Sequence, residues 1–181
     1  MKVTPTSLTG VLIVDFDVFF DDRGYFQEIF KTSSHKNLGL PLVYVQDNLS
    51  MSKKAVVRGL HLQKKPAAQA KLVQCVQGRV FDVAVDVRPG SSTFGQFESV
   101  ILDAKEPRAL FIPEGFAHGF QALEEGTKVF YKCTNLYSKN DEIGIRFDDP
   151  DIKIPWPLPP QFVSSKDLDL PLLKAVKKDL L

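Results

Sequence analysis

Short runs of β-branched and aromatic residues, separated by Gly, Asp, Asn and Pro, recur along most of the chain. Such runs favour strands, and no helix-period pattern competes with them before the C-terminal end. The runs are "GVLIVDFDVFF", "YFQEIF", "LVYVQDNLSMS", "AVVRGLHLQ", "KLVQCVQGRVFDVAVDV", "FGQFESVILD", "ALFIPEGFAHGFQAL" and "TKVFYKCTNLYS". The pattern therefore predicts an all-β sandwich or barrel.

The C-terminal part of the chain breaks this pattern. In "IPWPLPP" each proline lacks the N–H that a strand ladder needs, so we expect irregular chain packed across the body. Beyond it, Leu172, Leu173, Val176 and Leu180 recur at helical spacing behind Pro171, which suits a first helical turn. A short helix is therefore expected to close the sequence.

Length and composition narrow the class of protein. A chain of 181 residues with 44% apolar side chains is expected to form one domain, residues 1–181, with its own core. Because 23 basic residues balance 22 acidic ones, no strong field suggests a nucleic-acid or membrane surface. We expect a cytoplasmic protein with reduced Cys75 and Cys133, since the N-terminus lacks an apolar leader.

The segment "KLVQCVQGRVFDVAVDV" predicts a hairpin with a two-residue turn at Gln77-Gly78. Pairing Val76 with Arg79 puts one set of side chains on a single sheet face and makes Lys71 and Asp82 diagonal neighbours. That set is Lys71, Val73, Cys75, Val80, Asp82 and Ala84. Two buried charges indicate a site, whereas an ordinary ion pair on a solvent face is the alternative. The pattern leaves both interpretations open, because the opposite face is also apolar.

The segment "FIPEGFAHGF" carries Pro113, Gly115 and His118 at the spacing PxGxxH. This spacing resembles the second motif of the cupin superfamily, whose members are small jelly-roll barrels. The resemblance implies an all-β cupin jelly roll with the short C-terminal helix attached.

The first histidine segment does not suit a metal. Metal-binding cupins supply an HxH pair and a following Glu, whereas His61 is followed by Leu62 and Gln63. Gln69 and Lys71 stand where a carboxylate ligand would be wanted, and a protonated lysine adds repulsion. We therefore expect no metal and no other cofactor.

Proton transfer is the remaining chemical role for a histidine here. An imidazole with an ordinary pKa near 6.5 serves as a base at neutral pH, so His61 is a candidate base or else a satisfied core histidine. Arg58 and His61 lie an odd number of residues apart, and a bulge at Gly59 would bring them to one face. His35, in the polar segment "KTSSHKNLGL", is expected to be a solvated surface residue.

Ordered motifs along nearly the whole chain resemble the dTDP-4-dehydrorhamnose 3,5-epimerase family, which are cupin epimerases acting on dTDP-4-keto-6-deoxyhexoses. The motifs are "DDRGYFQEIF", "VQDNLSMS", "VVRGLHLQ", "AAQAKLVQCVQGRVFDVAVDVR", "FIPEGFAHGF", "FYKCTNLYS", "IPWP" and "SSKDLDLP". The resemblance implies an isomerase that epimerises dTDP-4-keto-6-deoxy-D-glucose at C3 and C5.

The resemblance also implies catalytic roles. His61 would be the base that removes a proton beside the C4 ketone, and Asp167 would support it. Tyr131 would return a proton on the opposite face, although from the strand pattern alone a core tyrosine is the simpler interpretation. Lys71 fits the stabilisation of the enolate oxygen, with Asp82 keeping Lys71 charged and aimed.

Substrate contacts are implied for a larger set, in which Tyr137 would stack on thymine and Lys166 would contact substrate. The set is Arg23, Phe26, Glu28, Gln46, Asp47, Asn48, Arg58, Lys71, His118, Tyr137, Glu142 and Lys166. The family also implies a homodimer in which a strand crosses between subunits and supplies some nucleotide contacts.

Several alternatives stay open at this point. A C3-only epimerase or a 3,4-ketoisomerase of a dTDP-sugar would differ mainly in pocket shape. A sugar-nucleotide-binding cupin without catalysis would need no proton relay, and a cupin oxygenase would need stoichiometric metal. The combination of His61, Tyr131 and Asp167 favours the epimerase.

Overall fold

A computed structural model of the chain describes residues 1–176, which form mainly strands. The elements are β1 (Lys2–Pro5), β2 (Leu12–Asp15), β3 (Val18–Asp21), β4 (Gly24–Gln27), α1 (Thr32–Asn37), β5 (Gln46–Ser52), β6 (Val57–Gln63), β7 (Lys71–Gln77), β8 (Arg79–Asp86), β9 (Phe97–Asp103), β10 (Arg108–Ile112), β11 (Phe116–Ala122), β12 (Thr127–Cys133), β13 (Glu142–Gly144), α2 (Ser165–Leu168) and α3 (Leu173–Val176). A short 3-10 turn, Lys139–Asp141, precedes β13.

Two antiparallel sheets face each other. One sheet has six strands in the order β1-β2-β10-β7-β12-β5, and the other has five in the order β13-β6-β11-β8-β9. Strands β3 and β4 pair with each other in a separate hairpin. The architecture confirms the predicted all-β jelly roll.

Three apolar clusters bury both faces of each sheet. The central cluster lies between the sheets and contains Val73, Cys75, Val80, Ala84, Leu110 and Phe120. A second cluster joins the outer face of the five-stranded sheet to the C-terminal segment through Phe81, Val83, Ile145, Ile152 and Leu173. A third covers the outer face of the six-stranded sheet with Val14, Phe16, Leu40, Leu72 and Phe111. Burial on both faces explains why the strands read as nearly continuous apolar runs.

The predicted pairing of β7 with β8 is wrong. Gly78 has the positive φ, 73°, that the turn requires, but the chain crosses there from one sheet to the other. Val73 and Cys75 therefore meet Val80 and Ala84 across the sandwich and not within one hairpin. Because both faces of each strand are apolar, alternation cannot distinguish a hairpin from a corner between sheets.

The prediction for His35 is also wrong. Its side chain is fully buried in α1, with Nδ1 2.9 Å from the Pro41 carbonyl oxygen. The ring packs edge-on against Phe30 and Tyr44. Helices α1 and α2 were not predicted, because "TSSHKN" and "SKDL" are too short and polar to show a helical period.

The C-terminal segment largely follows its prediction. Residues 154–160 contain no strand, and Trp156 packs edge-on against Phe81 while its Nε1–H donates to the Phe147 carbonyl at 2.8 Å. The closing helix is described as Leu173–Val176, so Pro171 precedes it. Leu180, which we expected on the same helix, lies outside the described residues.

A buried carboxylate organises the loop that links β8 to β9. Asp86 has no exposed side-chain surface and accepts hydrogen bonds from Arg88, Ser91 and Thr93 at 2.5–3.0 Å. Burial acts to raise the pKa of Asp86, but these donors outweigh it and hold the pKa well below its ordinary value. The carboxylate therefore stays charged in the folded protein.

We expect Asp86→Asn to lower the free energy of unfolding by about 3 kcal/mol at neutral pH, because the buried Arg88 pair is broken. The pKa of Asp86 is lower in the folded protein than its value of 3.8 in the unfolded chain. The stability that Asp86 contributes is therefore complete above pH 3.8 and is lost progressively as the pH falls below that value. Urea unfolding should therefore show a smaller difference from wild type at about pH 3.

Asp148→Asn is the matched control for this measurement. Asp148 pairs with Arg146 on the surface, where such a pair contributes at most about 1 kcal/mol. Equal losses of stability in the two variants would contradict the role given to Asp86.

Candidate active site

A bulge in β6 directs His61 into the sandwich. The β6–β11 register pairs His61 with His118 and Arg58 with Phe120, so Gly59 and Leu60 together oppose one residue of β11. Gly59 has φ 117°, and a Cβ at this position would lie 2.6 Å from Gly119 Cα. Only glycine fits such a close approach in this conformation. The bulge predicted at Gly59 is confirmed.

Helix α2 holds Asp167 against this bulge. Ser164 caps the helix by accepting the Asp167 N–H at 3.1 Å. The Asp167 side chain is buried, with Oδ1 2.8 Å from His61 Nε2 and Oδ2 accepting the Gly59 N–H at 3.2 Å. A segment near the C-terminus thereby orients a histidine far away in sequence.

The contact with Asp167 determines which His61 nitrogen is free. An Nε2–H donated to a carboxylate leaves Nδ1 as the proton acceptor, and Nδ1 makes no hydrogen bond within residues 1–176. Burial acts to raise the pKa of Asp167, but its contacts with His61, Gly59 and Ser164 outweigh this and lower the pKa. Asp167 is therefore a carboxylate at neutral pH, able to stabilise a protonated His61.

Three neighbouring strands of the opposite sheet supply the other polar side chains. Cys133 of β12 pairs with Gln46 of β5 on one side and with Lys71 of β7 on the other. Two residues along the same strand, Tyr131 pairs with Asn48. A cavity of about 120 Å³ lies between these strands and β6. Its lining residues are Gln46, Asn48, His61, Leu62, Gln63, Gln69, Lys71, Tyr131, Tyr137 and Glu142.

Burial changes the acidity of the two donors in this cavity. It raises the pKa of Tyr131, so the phenol stays protonated through the neutral range. It lowers the pKa of Lys71, although Cys133, Asp82 and Glu142 nearby act in the opposite direction. Neither the Tyr131 hydroxyl nor the Lys71 ammonium has a side-chain partner within the described chain. Both donors are therefore available to a ligand.

Glu142 connects the side chains at the mouth of the cavity. Its carboxylate accepts hydrogen bonds from Tyr137 at 2.9 Å and Lys166 at 2.5 Å. Burial acts to raise the pKa of Glu142, but Lys166, Tyr137 and the charge of His61 outweigh it. The exposed Tyr137 ring and the Lys166 ammonium thus stand beside the entrance.

The prediction that Asp82 and Lys71 are diagonal neighbours in one sheet is wrong, because the two residues lie on opposed sheets. They form no ion pair within residues 1–176, although the charge of Asp82 acts to raise the pKa of Lys71. Asp82 is fully buried, and its Oδ1 lies 2.8 Å from His118 Nε2. These residues form a second histidine–carboxylate pair, on β11 and β8, and His118 is the ladder partner of His61.

Seven predicted substrate-binding residues do not line this cavity, namely Arg23, Phe26, Glu28, Asp47, Arg58, His118 and Lys166. Four of them lie on the outside of the sheet or on the β3–β4 hairpin and its continuation. Asp47 faces outwards and binds Lys132 at 2.8 Å. Arg23 pairs with Asp21 on the β3–β4 hairpin, which also carries Phe26, and Glu28 follows that hairpin. Strand alternation accounts for Asp47, since its neighbours Gln46 and Asn48 point inwards.

Arg58 lies at the open end of the same sheet interior. Its guanidinium donates to the Ser52 hydroxyl and to the Met51 carbonyl oxygen, both at 3.1 Å, and its side chain is exposed. The bulge at Gly59 thus leaves Arg58 available to a ligand that extends out of the cavity.

Two glutamines in the cavity were missed as candidates. Gln63 accepts the Ser138 N–H at 2.9 Å and Gln69 donates to the Asn135 carbonyl at 2.8 Å, so both hold the loop that carries Tyr137. The even spacing of Gln63 from His61 on one strand was the signal that could have found it.

A larger cavity of about 500 Å³ nearby shares Leu62 and Gln63 but contains none of the acid–base candidates.

Neither a metal centre nor a membrane-spanning helix occurs in the described part of the chain. Within residues 1–176, no group of three or more His, Cys, Asp or Glu side chains is arranged to hold a metal ion. In the same part of the chain, no helix is both long and apolar enough to cross a bilayer. The expected absence of a cofactor stays a prediction.

The fold and the cavity define an acid–base enzyme of the cupin-like jelly-roll class. A model of the dTDP-4-dehydrorhamnose 3,5-epimerase family matches residues 5–175. The enzyme of that name from Shigella flexneri is 48% identical over 170 residues, covering 93% of this chain and 94% of the relative. The chain belongs to the dTDP-4-dehydrorhamnose 3,5-epimerase family, and the predicted isomerase class is confirmed.

Solved structures agree with this assignment. The dTDP-6-deoxy-D-glucose-3,5-epimerase of Legionella pneumophila, in complex with dTDP-4-keto-L-rhamnose, is 42% identical with a TM-score of 0.94, covering 99% of this chain and 96% of that one. A 3'-monoepimerase from Streptomyces bikiniensis, in complex with dTDP-quinovose, is 32% identical with a TM-score of 0.91, covering 98% and 91%. The fold is thus shared by double and single epimerases.

We expect Asp167→Asn to slow epimerase turnover about 100-fold, because the amide cannot stabilise a protonated His61. The measurement is the rate of solvent-hydrogen exchange into a dTDP-4-keto sugar. Asp169→Asn is the matched control, since Asp169 is exposed at the C-cap of the same helix. An equal effect of both substitutions would show that α2 packing, and not the Asp167 charge, matters.

Proposed function

We propose that the protein is a cofactor-independent 3,5-epimerase that converts dTDP-4-keto-6-deoxy-D-glucose into dTDP-4-keto-L-rhamnose. The observation that carries this proposal is the convergence of His61, paired with Asp167, with Tyr131 and Lys71 on one cavity. Family membership supports the substrate class. The domain boundaries and the cytoplasmic location stay predictions from the sequence.

Proton removal is the first step of each epimerisation. Nδ1 of His61 takes the proton from the carbon next to the C4 ketone, and the C–H electron pair moves into an enolate. The negative charge of Asp167, 2.8 Å from Nε2, stabilises the imidazolium that results. The Lys71 ammonium stabilises the enolate oxygen, and such preorganised donors contribute about 10²–10³ in rate.

Proton return on the opposite face completes the inversion. Tyr131 lies on β12 in the sheet opposite His61, so the two groups approach a bound ring from different sides. The raised pKa of Tyr131 keeps its hydroxyl proton available for donation to the enolate carbon. Before the second carbon reacts, the His61 imidazolium releases its proton to solvent and the Tyr131 phenolate takes one from solvent.

The nucleotide part of the substrate would contact polar groups around the mouth. The planar guanidinium of Arg58 can donate two parallel hydrogen bonds, which suits the oxygens of a diphosphate. Lys166 adds a second cation beside Glu142, and the exposed Tyr137 ring offers a stacking surface for thymine. Gln46 and Asn48 line the route from this mouth to His61.

We expect wild-type protein to introduce deuterium at both C3 and C5 of dTDP-4-keto-6-deoxy-D-glucose in D₂O, as measured by NMR. His61→Ala should abolish exchange, because it removes the imidazole that takes the proton from the carbon next to the ketone. Tyr131→Phe should retain exchange but lose inverted product, since removal and return of the proton use different groups.

Each other outcome of this measurement points to a specific alternative. Deuterium at C3 alone would make the protein a single epimerase, for which the similarity to a 3'-monoepimerase is the supporting observation. Tight binding of dTDP without exchange at either carbon would indicate a binding protein. Inverted product from Tyr131→Phe at the normal rate would refute the donor assignment.

We further propose that the protein is a homodimer in which the β3–β4 hairpin of one copy completes the cavity of the other. The hairpin exposes Phe19, Phe20, Tyr25 and Phe26, each with more than 60% of its surface accessible. Such a concentration of exposed aromatic side chains is typical of an interaction surface.

Strand β5 offers a matching surface. It is an edge strand of the six-stranded sheet and exposes Leu49 and Met51, with 65% and 59% of their surfaces accessible. Its inward residues, Gln46 and Asn48, line the cavity. A hairpin laid along this edge would bring Arg23 and Phe26 close to a neighbouring substrate.

We expect wild type to sediment as a dimer and the double variant Leu49→Lys, Met51→Lys to sediment as a monomer, because two charges cannot be buried at the β5 edge. Ile101→Lys is the matched control, since Ile101 is exposed on β9, the edge strand of the other sheet. A monomeric wild type would contradict the proposal.

Mixing two inactive variants tests whether the hairpin acts between subunits. Arg23→Ala has an intact cavity and a defective hairpin, whereas His61→Ala has the reverse. Co-expressed mixed dimers would combine one intact cavity with one intact hairpin and regain exchange activity. Absence of recovery from dimeric mixtures would show that the hairpin serves its own chain or no cavity.

A further inference from the structure

Asp82 is a carboxylate buried where the mechanism does not use it. It lies in the middle of β8, between Phe120 of β11 and Val100 of β9 in the ladder, and has no exposed surface. Oδ1 lies 2.8 Å from His118 Nε2, while Oδ2 is buried without a hydrogen-bond partner within residues 1–176. A half-satisfied buried carboxylate weakens a fold, so a role in the site is the better explanation for it.

The histidine that Asp82 contacts lies next to the acid–base groups. His118 is the ladder partner of His61, and its ring centroid lies 6.4 Å from that of Tyr131. Nδ1 of His118 makes no hydrogen bond with a described residue. Unlike Oδ2 of Asp82, this nitrogen is not completely enclosed by protein atoms. One ring nitrogen is therefore anchored, whereas the other has no hydrogen-bond partner within the described chain.

Lys71, in contrast, is not anchored by Asp82. The two residues lie on opposed sheets and form no ion pair within the described chain. Any influence of Asp82 on Lys71 is therefore through space, whereas its influence on His118 is a direct hydrogen bond with a defined direction.

We propose that Asp82 is a positioning residue that acts through His118. By accepting the Nε2–H, it fixes the ring and its tautomer, so that Nδ1 is presented to the sugar nucleotide bound between His61 and Tyr131. An Nδ1 so presented accepts a hydrogen bond when the ring is neutral and donates one when the ring is charged. This inference rests on the proposed function, because it assigns a further residue to the same site.

The first test of this proposal is to determine the tautomer of His118 in the free wild-type protein. With only three histidines in the chain, ¹⁵N NMR of histidine-labelled protein resolves each ring, and His118→Gln assigns the signal of interest. We expect Nε2 of His118 to carry hydrogen throughout the neutral range, together with a change in this signal in Asp82→Asn. An unprotonated Nε2 in wild type would overturn the proposal without requiring any variant to fold.

A double-mutant cycle measures whether Asp82 acts through His118. We expect Asp82→Asn to lower kcat/KM about 10- to 100-fold in wild type. The same change should cost less than about threefold in His118→Gln, because the partner is already absent. If the fold-losses in kcat/KM of the two single variants multiply in the double variant, Asp82 acts elsewhere, on Lys71 for example. That result would overturn the inference.

Two controls separate the possible causes of failure. Asp103→Asn, a carboxylate-to-amide change at the end of β9, should leave kcat/KM unchanged. A wild-type protein without exchange activity would overturn the proposed function, and the ¹⁵N measurement would then judge the Asp82–His118 contact independently. An active wild type with an uncoupled cycle would overturn the present inference alone.

Discussion

The hydrogen bond between Asp167 and His61 is the contact on which the geometry of the candidate active site depends. Its carboxylate accepts from both the Gly59 N–H and His61 Nε2, so one side chain holds the β6 bulge and the candidate base together. The bulge aligns Arg58 and His61 with the interior, and α2 brings Asp167 there only because the C-terminal segment packs across the five-stranded sheet. The acid–base geometry therefore depends on the complete wrapping of the chain around that sheet.

A second constraint is the division of the sandwich interior into an apolar part and a polar part. Val73, Cys75, Val80 and Ala84 fill the central core, whereas Lys71 and Tyr131, on the same inner face, line the cavity. Removing an ammonium and a phenol from water without partners costs free energy, and their shifted pKa values record this cost. Apolar clusters on both faces of each sheet provide the stability that such a polar cavity requires.

Prediction from sequence succeeded where local chemistry was decisive. The strand-rich pattern predicted the all-β class, and the resemblance of the PxGxxH segment to cupins predicted the jelly roll. The odd spacing of Arg58 and His61 around a glycine predicted the bulge. It failed where the answer lay in contacts between distant segments. The Gln77-Gly78 turn joins two sheets, His35 is buried under Phe30 and Tyr44, and Asp82 contacts His118 in place of Lys71. Alternation along a strand tells which residues share a face, but not which other strand covers that face.

The sequence by itself determined the all-β class, the family and the candidate acid–base residues, because strand propensity, glycine conformations and ordered motifs are local properties of the chain. The tertiary structure alone decided that Asp167 holds the Gly59 N–H as well as His61 Nε2, that Lys71 has no direct anionic partner within the described chain, and that the β3–β4 hairpin stands apart from its own cavity. These features depend on how two sheets and a C-terminal segment pack in space. Side chains far apart in sequence meet through that packing, which periodicity along one strand does not encode.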